Sequence, residues 1–496
     1  MSIRKLAKET VIYGGSTVLN KVLNLILVAP YLTRVFDDDQ GEYGIHGLMY
    51  AFAGFLLVIL TYGMETAFFR FGNEQEKRSK AFSTAAISLL VSTIGFVSLI
   101  ILFSPSIAGF LTEPQDSAYV VYFALIIGFD TLVAIPFASL RLENRPIRFG
   151  IFKMINVLVN ALVMLFLLEA VPRWLSGTDG WGDWYDPDKK LHYVFIANLV
   201  ASAVTFLLFL PYYRRLRGGF DRTLWKKMFR YAIPLVVVGI AGMINQLADR
   251  YFLKEWLPGT YEENIELLGI YVACIKIAVL MNLFTQGFKF AAEPFFFRNA
   301  SRADATKIYA EVGQAFTLVG SVAFLGLMLY IDIAKHIVAS SYHSGGGLAV
   351  VPILLIAYLL LGLYYNFAIW YKLKDKTHIG AWIACGGAVL TITSNYFLIP
   401  QWGLVGAAWS ALFCFLSMCI ACYWIGRRYY PVPYPIGKML TYLAIAIALY
   451  GVSEWVRPFL ENLPLRLLIN TGILALYAGF IFMIERNGLL QMIFRK

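Results

Sequence analysis

The feature that most constrains this chain is a succession of long apolar runs separated by short charged or Gly/Pro-containing breaks. A helix needs about 20 apolar residues to cross the roughly 30 Å hydrocarbon core of a bilayer. The sequence therefore predicts an all-α polytopic membrane protein with about 14 transmembrane helices. We place these spans at 10–36, 43–70, 81–104, 118–139, 150–170, 192–212, 231–253, 267–290, 308–331, 348–371, 379–399, 404–425, 437–456 and 465–484.

The composition and the motifs exclude several classes of protein. Hydrophobic residues make up 59% of the chain and charged residues only 15%, and no break is long enough for a soluble catalytic domain of ordinary size. All five cysteines lie inside apolar runs, which argues against a disulfide framework. We find no Walker loop, no His-x-x-x-His pair and no defined metal-ligand spacing, so we expect no cofactor, no metal site and no catalytic residues.

The loop at 173–193 combines aspartates with tryptophans and tyrosine. These residue types could hold calcium or stack on sugar rings, but their spacing matches no defined calcium loop. We favour an aromatic belt with a solvated acidic turn.

The net charge of +11 is distributed unevenly along the chain. If the N-terminus is cytoplasmic, every cytoplasmic break is basic, and the outer breaks carry only Arg173, Lys189, Lys190, Lys254, Lys335 and Arg457. By the positive-inside rule this predicts that both termini are cytoplasmic. A basic excess distributed in this way marks orientation, so we expect no nucleic-acid partner.

Two parts of the chain resemble each other. The segment at 61–73 and the segment at 285–300 share Thr-x-Gly, a following charge and a terminal aromatic-Arg, and a Gly-Ile pair precedes each one. Six spans separate the copies, so both point the same way, which implies a pseudo-twofold axis along the membrane normal and a cleft between the halves. We predict a six-helix bundle at 1–212, a basic cytoplasmic linker at 213–230 and a second six-helix bundle at 231–425. An appended pair of helices and a cytoplasmic tail follow at 426–496.

Charged side chains inside spans are costly and usually face a wet interior. Once the basic residues assigned to loops are set aside, eight remain: Lys21, Arg34, Arg70, Lys153, Arg250, Lys276, Lys289 and Arg466. Those near helix ends, such as Arg34, Arg70 and Arg466, can extend to the membrane surface. The deeper basic residues share a helix face with amide side chains at helical spacing. Such a polar face either lines a cavity or joins packed helices by hydrogen bonds. We predict that the cavity is lined by Lys21, Asn24, Lys153, Asn156, Asn160, Lys276, Lys289 and Arg250.

Three acidic residues stand out in the spans: Glu65, Asp130 and Asp249. Asp130 has no charged neighbour along its own apolar stretch, whereas Asp249 is adjacent to Arg250. These carboxyls are candidates for coupling transport to H+ or Na+, and structural ion pairs are the alternative interpretation.

Several segments are similar to one known family. They are the polar first helix from Tyr13 to Asn24, the helix end from Tyr31 to Arg34, GEYGI at 41–45, TYGMETAFFRF at 61–71 and LIPQWGLVGAAWSALF at 398–413. With these segments the chain resembles polysaccharide transporters of the multidrug, oligosaccharidyl-lipid and polysaccharide (MOP) flippase superfamily, nearest to bacterial O-antigen and capsule-precursor flippases. The resemblance implies a bacterial inner-membrane protein with fourteen helices and alternating access to a central cationic cavity.

The resemblance also implies a cargo, a polyprenyl pyrophosphate-linked oligosaccharide, which would move from the cytoplasmic to the outer leaflet. Membrane lipids and other polysaccharide-assembly membrane proteins are the remaining partners that it suggests. The lysines suit this cargo because they would offset the pyrophosphate charge. The peptidoglycan-precursor flippase is expected to have an arginine-dominated cavity instead, so its substrate residues do not transfer directly.

Two other functions stay open at this point. A drug or cation antiporter of the same superfamily would place acids in the cavity, and a membrane glycan polymerase or ligase would need a large outer loop with catalytic arginines or histidines. The lysine excess and the short loop at 173–193 favour the flippase.

Overall fold

The computed structural model describes residues 21–73, 75–143, 145–175, 185–460 and 462–494, and in these ranges the regular structure is entirely helical. Twelve of the described helices are long and apolar enough to cross a membrane. They follow the first helix, α1, which is described from residue 21 to Val35. They are α2 (Gln40–Phe71), α3 (Lys77–Leu102), α4 (Ser117–Leu142), α5 (Pro146–Trp174), α6 (Lys190–Tyr213), α7 (Arg222–Trp256), α8 (Tyr261–Asn299), α9 (Ala305–Leu329), α10 (Gly347–Leu373), the double helix α11–α12 (Thr377–Tyr429), α13 (Ile436–Phe459) and α14 (Leu463–Glu485).

The segment Thr377–Tyr429 contains two spans and not one. A straight helix of its 53 residues would be about 80 Å long, far more than a bilayer requires. Gly403 has a non-helical backbone (φ 54°, ψ −132°), and beyond it the chain runs back along itself. Ser410 Oγ donates to the Thr391 carbonyl at 3.2 Å, and Cys414 Sγ lies 3.5 Å from the Gly387 carbonyl oxygen. The predicted all-α membrane fold is confirmed, with α11 before Gly403 and α12 after it.

Helices α2 and α8, which carry the repeated sequence pattern, cross each other at a pair of glycines. A Cβ atom on Gly44 would overlap the carbonyl oxygen of Ile265, and one on Gly269 would overlap that of Gln40. The two backbones therefore touch where no other residue type fits. Contact between equivalent residues is what a twofold axis produces, since each copy presents the same surface to the other.

The neighbours of α2 and α8 follow the same symmetry. Helix α7 packs on α2, where Leu247 reaches Gly54 and Val58 reaches Gly239. Helix α1 packs on α8 through Leu25 and Leu283, which share one apolar cluster. Thus the first helix of each sequence half lies against the second helix of the other half. The division into two six-helix bundles stays a prediction.

Some helices extend beyond their predicted apolar limits. Helix α7 begins at Arg222, where the Asp221 carboxylate accepts from the backbone N–H groups of Thr223 and Leu224 at 2.9 Å each. Only the turn Arg214–Gly218 and a few residues beside it separate α6 from α7. Part of the predicted linker at 213–230 is therefore helical, because capping and charged helix ends extend a helix past its apolar run.

The loops form two sets at opposite ends of the bundle. One set includes Phe36, Tyr342 and Arg457 and corresponds to the breaks predicted as outer. The other includes Asp221 and Lys438 and corresponds to the breaks predicted as cytoplasmic. We call these ends the predicted outer side and the predicted cytoplasmic side.

Candidate functional site

A cavity of about 420 Å³ lies where α1, α5 and α8 meet. Three lysines, one from each helix, line it together with amide side chains and a few aliphatic groups. We call it the three-lysine cavity. Its lining residues are Lys21, Asn24, Leu25, Lys153, Asn156, Val157, Lys276, Val279, Asn282, Leu283 and Gln286.

Amides and one aromatic ring hold the polar side chains of this cavity in place. Lys21 Nζ donates to Gln286 Oε1, and Gln286 Nε2 donates to Asn282 Oδ1 at 3.1 Å. Lys153 Nζ lies 4.4 Å from the centre of the Phe137 ring. Asn156 Nδ2 donates to Thr205 Oγ1 at 2.9 Å, so this amide also joins α5 to α6.

The three-lysine cavity is strongly cationic. Its lining includes no acidic residue, and within the described ranges Lys21, Lys153 and Lys276 form no ion pair. Cations that form no ion pair are costly inside a membrane protein. The arrangement is therefore suited to an anionic ligand that supplies the missing negative charge.

The other predicted cavity residues lie elsewhere. Asn160 is about one turn further along α5 and does not line the three-lysine cavity. Arg250 Nη1 lies 2.8 Å from Asp249 Oδ1, and the Tyr271 hydroxyl donates to Asp249 Oδ2 at 2.6 Å. Arg250 is thus neutralised inside the second half of the chain. Lys289 lines a second cavity, described below.

The three candidate coupling acids do not form one chain of contacts. Glu65 is paired with Arg141, at the predicted cytoplasmic ends of α2 and α4. Asp130 accepts from Ser202 Oγ at 3.0 Å and, like Glu65, interacts electrostatically with Lys153. Asp249 belongs to the other half. The relay function of these acids stays a prediction, and two of them share Lys153 as a charged neighbour.

The second cavity, of about 260 Å³, lies among α7, α8, α10, α11 and α12 on the predicted cytoplasmic side. We call it the tyrosine cavity because Tyr364, Tyr365 and Tyr371 line it. Its polar groups include Lys289, Gln246 and the ion pair of Lys372 Nζ with Glu293 Oε1 at 2.6 Å.

Glu293, Lys372 and the three tyrosines were not predicted as site residues from the sequence. Glu293 follows Lys289 by four residues and Tyr371 follows Tyr364 by seven, so helical spacing could have placed each pair on one face. Lys372 was assigned to a loop because it follows the apolar run of α10.

Contacts between the halves close the predicted outer side. The Tyr342 hydroxyl donates to the Phe36 carbonyl at 2.7 Å, and the Ala339 backbone N–H donates to Thr33 Oγ1 at 3.3 Å. The ring of Tyr342 also meets that of Tyr43 edge-on, with centroids 5.5 Å apart. These contacts join the end of α1 to the segment between α9 and α10.

Part of the acidic and aromatic loop, residues 176–184, lies outside the described residues. At its described end, Tyr185 stacks on Tyr193 with ring centroids 4.5 Å apart. The Cys419 and Cys422 thiols are buried, and Cys419 Sγ lies 2.9 Å from the Leu360 carbonyl oxygen.

Comparisons with known proteins agree with this fold. The sequence profile of the family described as polysaccharide biosynthesis protein matches residues 6–300, whereas a search of curated protein sequences returns no match. Among solved structures, the lipid II flippase MurJ in an inward closed conformation is similar with a TM-score of 0.71 and 14% identity, over 97% of this chain and 100% of that one.

Multidrug resistance transporters of the MATE family, also of the MOP superfamily, share the fold as well. An inward-facing structure matches with a TM-score of 0.61 and 13% identity, over 85% of this chain and 97% of that one. An outward-facing structure matches with a TM-score of 0.59 and 14% identity, over 85% and 95%. The family predicted from the sequence segments is confirmed: this chain belongs to the polysaccharide biosynthesis protein family and has the fold of the MOP superfamily.

Proposed function

We propose that this protein moves a polyprenyl pyrophosphate-linked oligosaccharide from the cytoplasmic to the outer leaflet of a bacterial inner membrane. The observation that carries the proposal is the three-lysine cavity, in which Lys21, Lys153 and Lys276 converge without an acidic neighbour in the lining. A pyrophosphate brings the negative charge that this cavity lacks, and lysine ammonium groups bind phosphate oxygens by charge-assisted hydrogen bonds.

The physical task of such a flippase is to shelter the head of the cargo. Hydrocarbon accepts the polyprenyl chain, but it rejects the charged and hydroxylated head. The cavity would hold the pyrophosphate while the polyprenyl chain stays in the bilayer. Because contacts between the halves close the predicted outer side, the cargo would enter from the predicted cytoplasmic side. Rocking of the halves about the crossing of α2 and α8 would then expose it to the opposite face.

The charge of the cavity also separates this proposal from its alternatives. A cation antiporter would require acids where the cargo binds, and here the lining consists of lysines, amides and aliphatic groups. The ion that couples transport stays open: H+ or Na+ would act through Glu65, Asp130 or Asp249.

The test is export of the surface glycan by cells that carry Lys21→Ala, Lys276→Ala or both. Each change removes a charge-assisted interaction of about 1.5–3 kcal/mol, so we expect export to fall about 10-fold or more for each. Arg173→Ala is the matched control, because it removes an exposed charge far from the cavity. Full export by the double variant at equal protein level would refute the cationic site.

A further inference from the structure

We propose that the tyrosine cavity holds a sugar ring bearing a single carboxylate, as in a hexuronate, within the glycan of the cargo. This inference rests on the proposed function and names the part of the cargo that the second cavity would recognise. Lys289 would then bind the glycan, whereas the sequence pattern predicts that it faces the pyrophosphate with the other lysines.

The charge balance of the cavity selects a ligand with one negative charge. Lys372 is neutralised by Glu293 at 2.6 Å, and within the described ranges Lys289 forms no ion pair. Lys289 Nζ lies over the Tyr365 ring, 4.3 Å from its centre. One uncompensated ammonium group suits one carboxylate. A doubly charged phosphate would bring excess negative charge next to Glu293, which would repel it.

The walls of the cavity suit a sugar ring. Phe288, Phe296 and the three tyrosines surround it, and aromatic faces can cover the C–H surface of a pyranose. The few polar groups are placed to bind hydroxyls: Gln246 lines the cavity, and the Tyr364 and Tyr371 hydroxyls lie 3.4 Å apart. Mostly apolar walls with a few oriented polar groups are typical of small-molecule sites.

The size and position of the cavity fit one unit of a chain attached to pyrophosphate. Its volume of about 260 Å³ lies just below the range of roughly 300–1,000 Å³ that holds drug-sized ligands. Gln286 lines the three-lysine cavity and Lys289 lines the tyrosine cavity. Three residues on a helix rise about 4.5 Å. A glycan that extends along α8 from the first cavity toward the predicted cytoplasmic side would therefore meet the lining of the second cavity.

The experiment is calorimetry on the full-length protein in lipid nanodiscs with three probes. They are inorganic pyrophosphate, a tetrasaccharide of alternating glucuronate and N-acetylglucosamine, and the neutral tetrasaccharide of N-acetylglucosamine alone. We expect the wild type to bind the acidic tetrasaccharide at least 10-fold more tightly than the neutral one. Lys289→Gln should remove this preference, and Lys289→Arg should keep most of it.

The control is Lys227→Gln, which makes the same charge change at an exposed position on the predicted cytoplasmic side. We expect it to keep the preference for the acidic tetrasaccharide. Pyrophosphate should bind the wild type and Lys289→Gln alike, which shows that the variant is folded.

The outcomes separate the two proposals. Equal affinity of the wild type for the two tetrasaccharides overturns this inference, as does a preference that survives Lys289→Gln, and in both cases pyrophosphate binding leaves the proposed function standing. A wild type that does not bind pyrophosphate overturns the proposed function and the inference with it.

Discussion

At the residue scale, the partner of a buried charge decides what that charge can do. Asp249 and Arg250 are adjacent in sequence and 2.8 Å apart, so each cancels the other. Lys21 and Lys276 lie on different helices and reach the same cavity without a carboxylate in the lining. Since a cation that is already paired offers less charge to a ligand, Lys21 and Lys276 are better candidates for anion binding than Arg250.

We expect Asp249→Asn to destabilise the protein by about 3–5 kcal/mol, because it leaves the Arg250 guanidinium without its carboxylate. The measurement is the thermal unfolding of the purified protein. The double variant Asp249→Asn/Arg250→Gln should recover most of the lost stability.

Transport by that stable double variant then distinguishes the two interpretations of Asp249. Normal transport indicates a structural ion pair only. A stable protein that no longer responds to an ion gradient indicates that Asp249 couples transport to the ion. A double variant as unstable as the single one would contradict the ion-pair account.

At the scale of elements, the structure depends on how closely α2 and α8 approach each other. Their crossing at Gly44 and Gly269 allows backbone contact. The same approach brings the neighbours of the two helices, α7 and α1, against the opposite half. A change at this crossing would therefore affect both halves together.

We expect Gly269→Ala to lower the unfolding temperature and the yield of folded protein, because its methyl group would overlap the Gln40 carbonyl. Overpacking of this kind typically costs about 1–3 kcal/mol. Gly451→Ala in α13 is the matched control, because a Cβ atom there meets nothing within 4 Å. That control should be neutral or stabilising by up to about 1 kcal/mol. Equal behaviour of the two variants would argue against a tight crossing.

A second prediction at this scale concerns the closure of the predicted outer side. Tyr342→Phe removes the hydrogen bond to the Phe36 carbonyl, which is worth about 1 kcal/mol. The fraction of molecules that are open on the predicted outer side should therefore rise roughly 5-fold. A cysteine at the buried position Ala339 reports the opening through its reaction with an impermeant maleimide added outside the cell. The reference is Ala339→Cys with Tyr342 intact. Equal labelling rates in the two proteins would show that this hydrogen bond does not keep the outer side closed.

At the scale of the whole molecule, α13 and α14 are attached to the second half through a charge cluster beyond the end of α9. Asp332 lies 2.7 Å from Arg457 and 2.8 Å from Arg466, with Lys335 at 3.3 Å. Burial alone would raise the pKa of Asp332, but Arg457, Lys335 and Arg466 together hold the pKa of this carboxyl below its ordinary value.

A carboxyl whose pKa is lower in the folded state stabilises the fold above its ordinary pKa, and the stabilisation is lost as the pH falls through the folded-state value. We therefore expect Asp332→Asn to lower the unfolding temperature at pH 7. The wild type and the variant should converge as the pH falls below about 4. The measurement is the unfolding temperature against pH for both proteins, with Lys438→Gln as a control at the opposite end of the appended pair. Parallel curves would contradict this account of the cluster.

The sequence alone determined the class of protein, the positions of its spans and the candidate charges. Span length and charge placement are properties of short stretches of chain, so they can be read without knowing how helices pack. The repeated pattern around Gly44 and Gly269 also indicated that α2 and α8 are equivalent helices. The limits of α7 and the turn at Gly403 could not be predicted in this way, because they depend on helix capping and backbone geometry, which apolar content does not reveal.

Only the tertiary structure decided which of these charges share a site. Lys21, Lys153 and Lys276 are far apart in sequence and meet in one cavity, whereas Lys289 follows Gln286 by three residues and faces another cavity. The pairing of Lys372 with Glu293 was equally unpredictable from their positions in the chain. The physical reason is that a charge acts over a few ångströms in space, and helix packing sets which residues come within that distance.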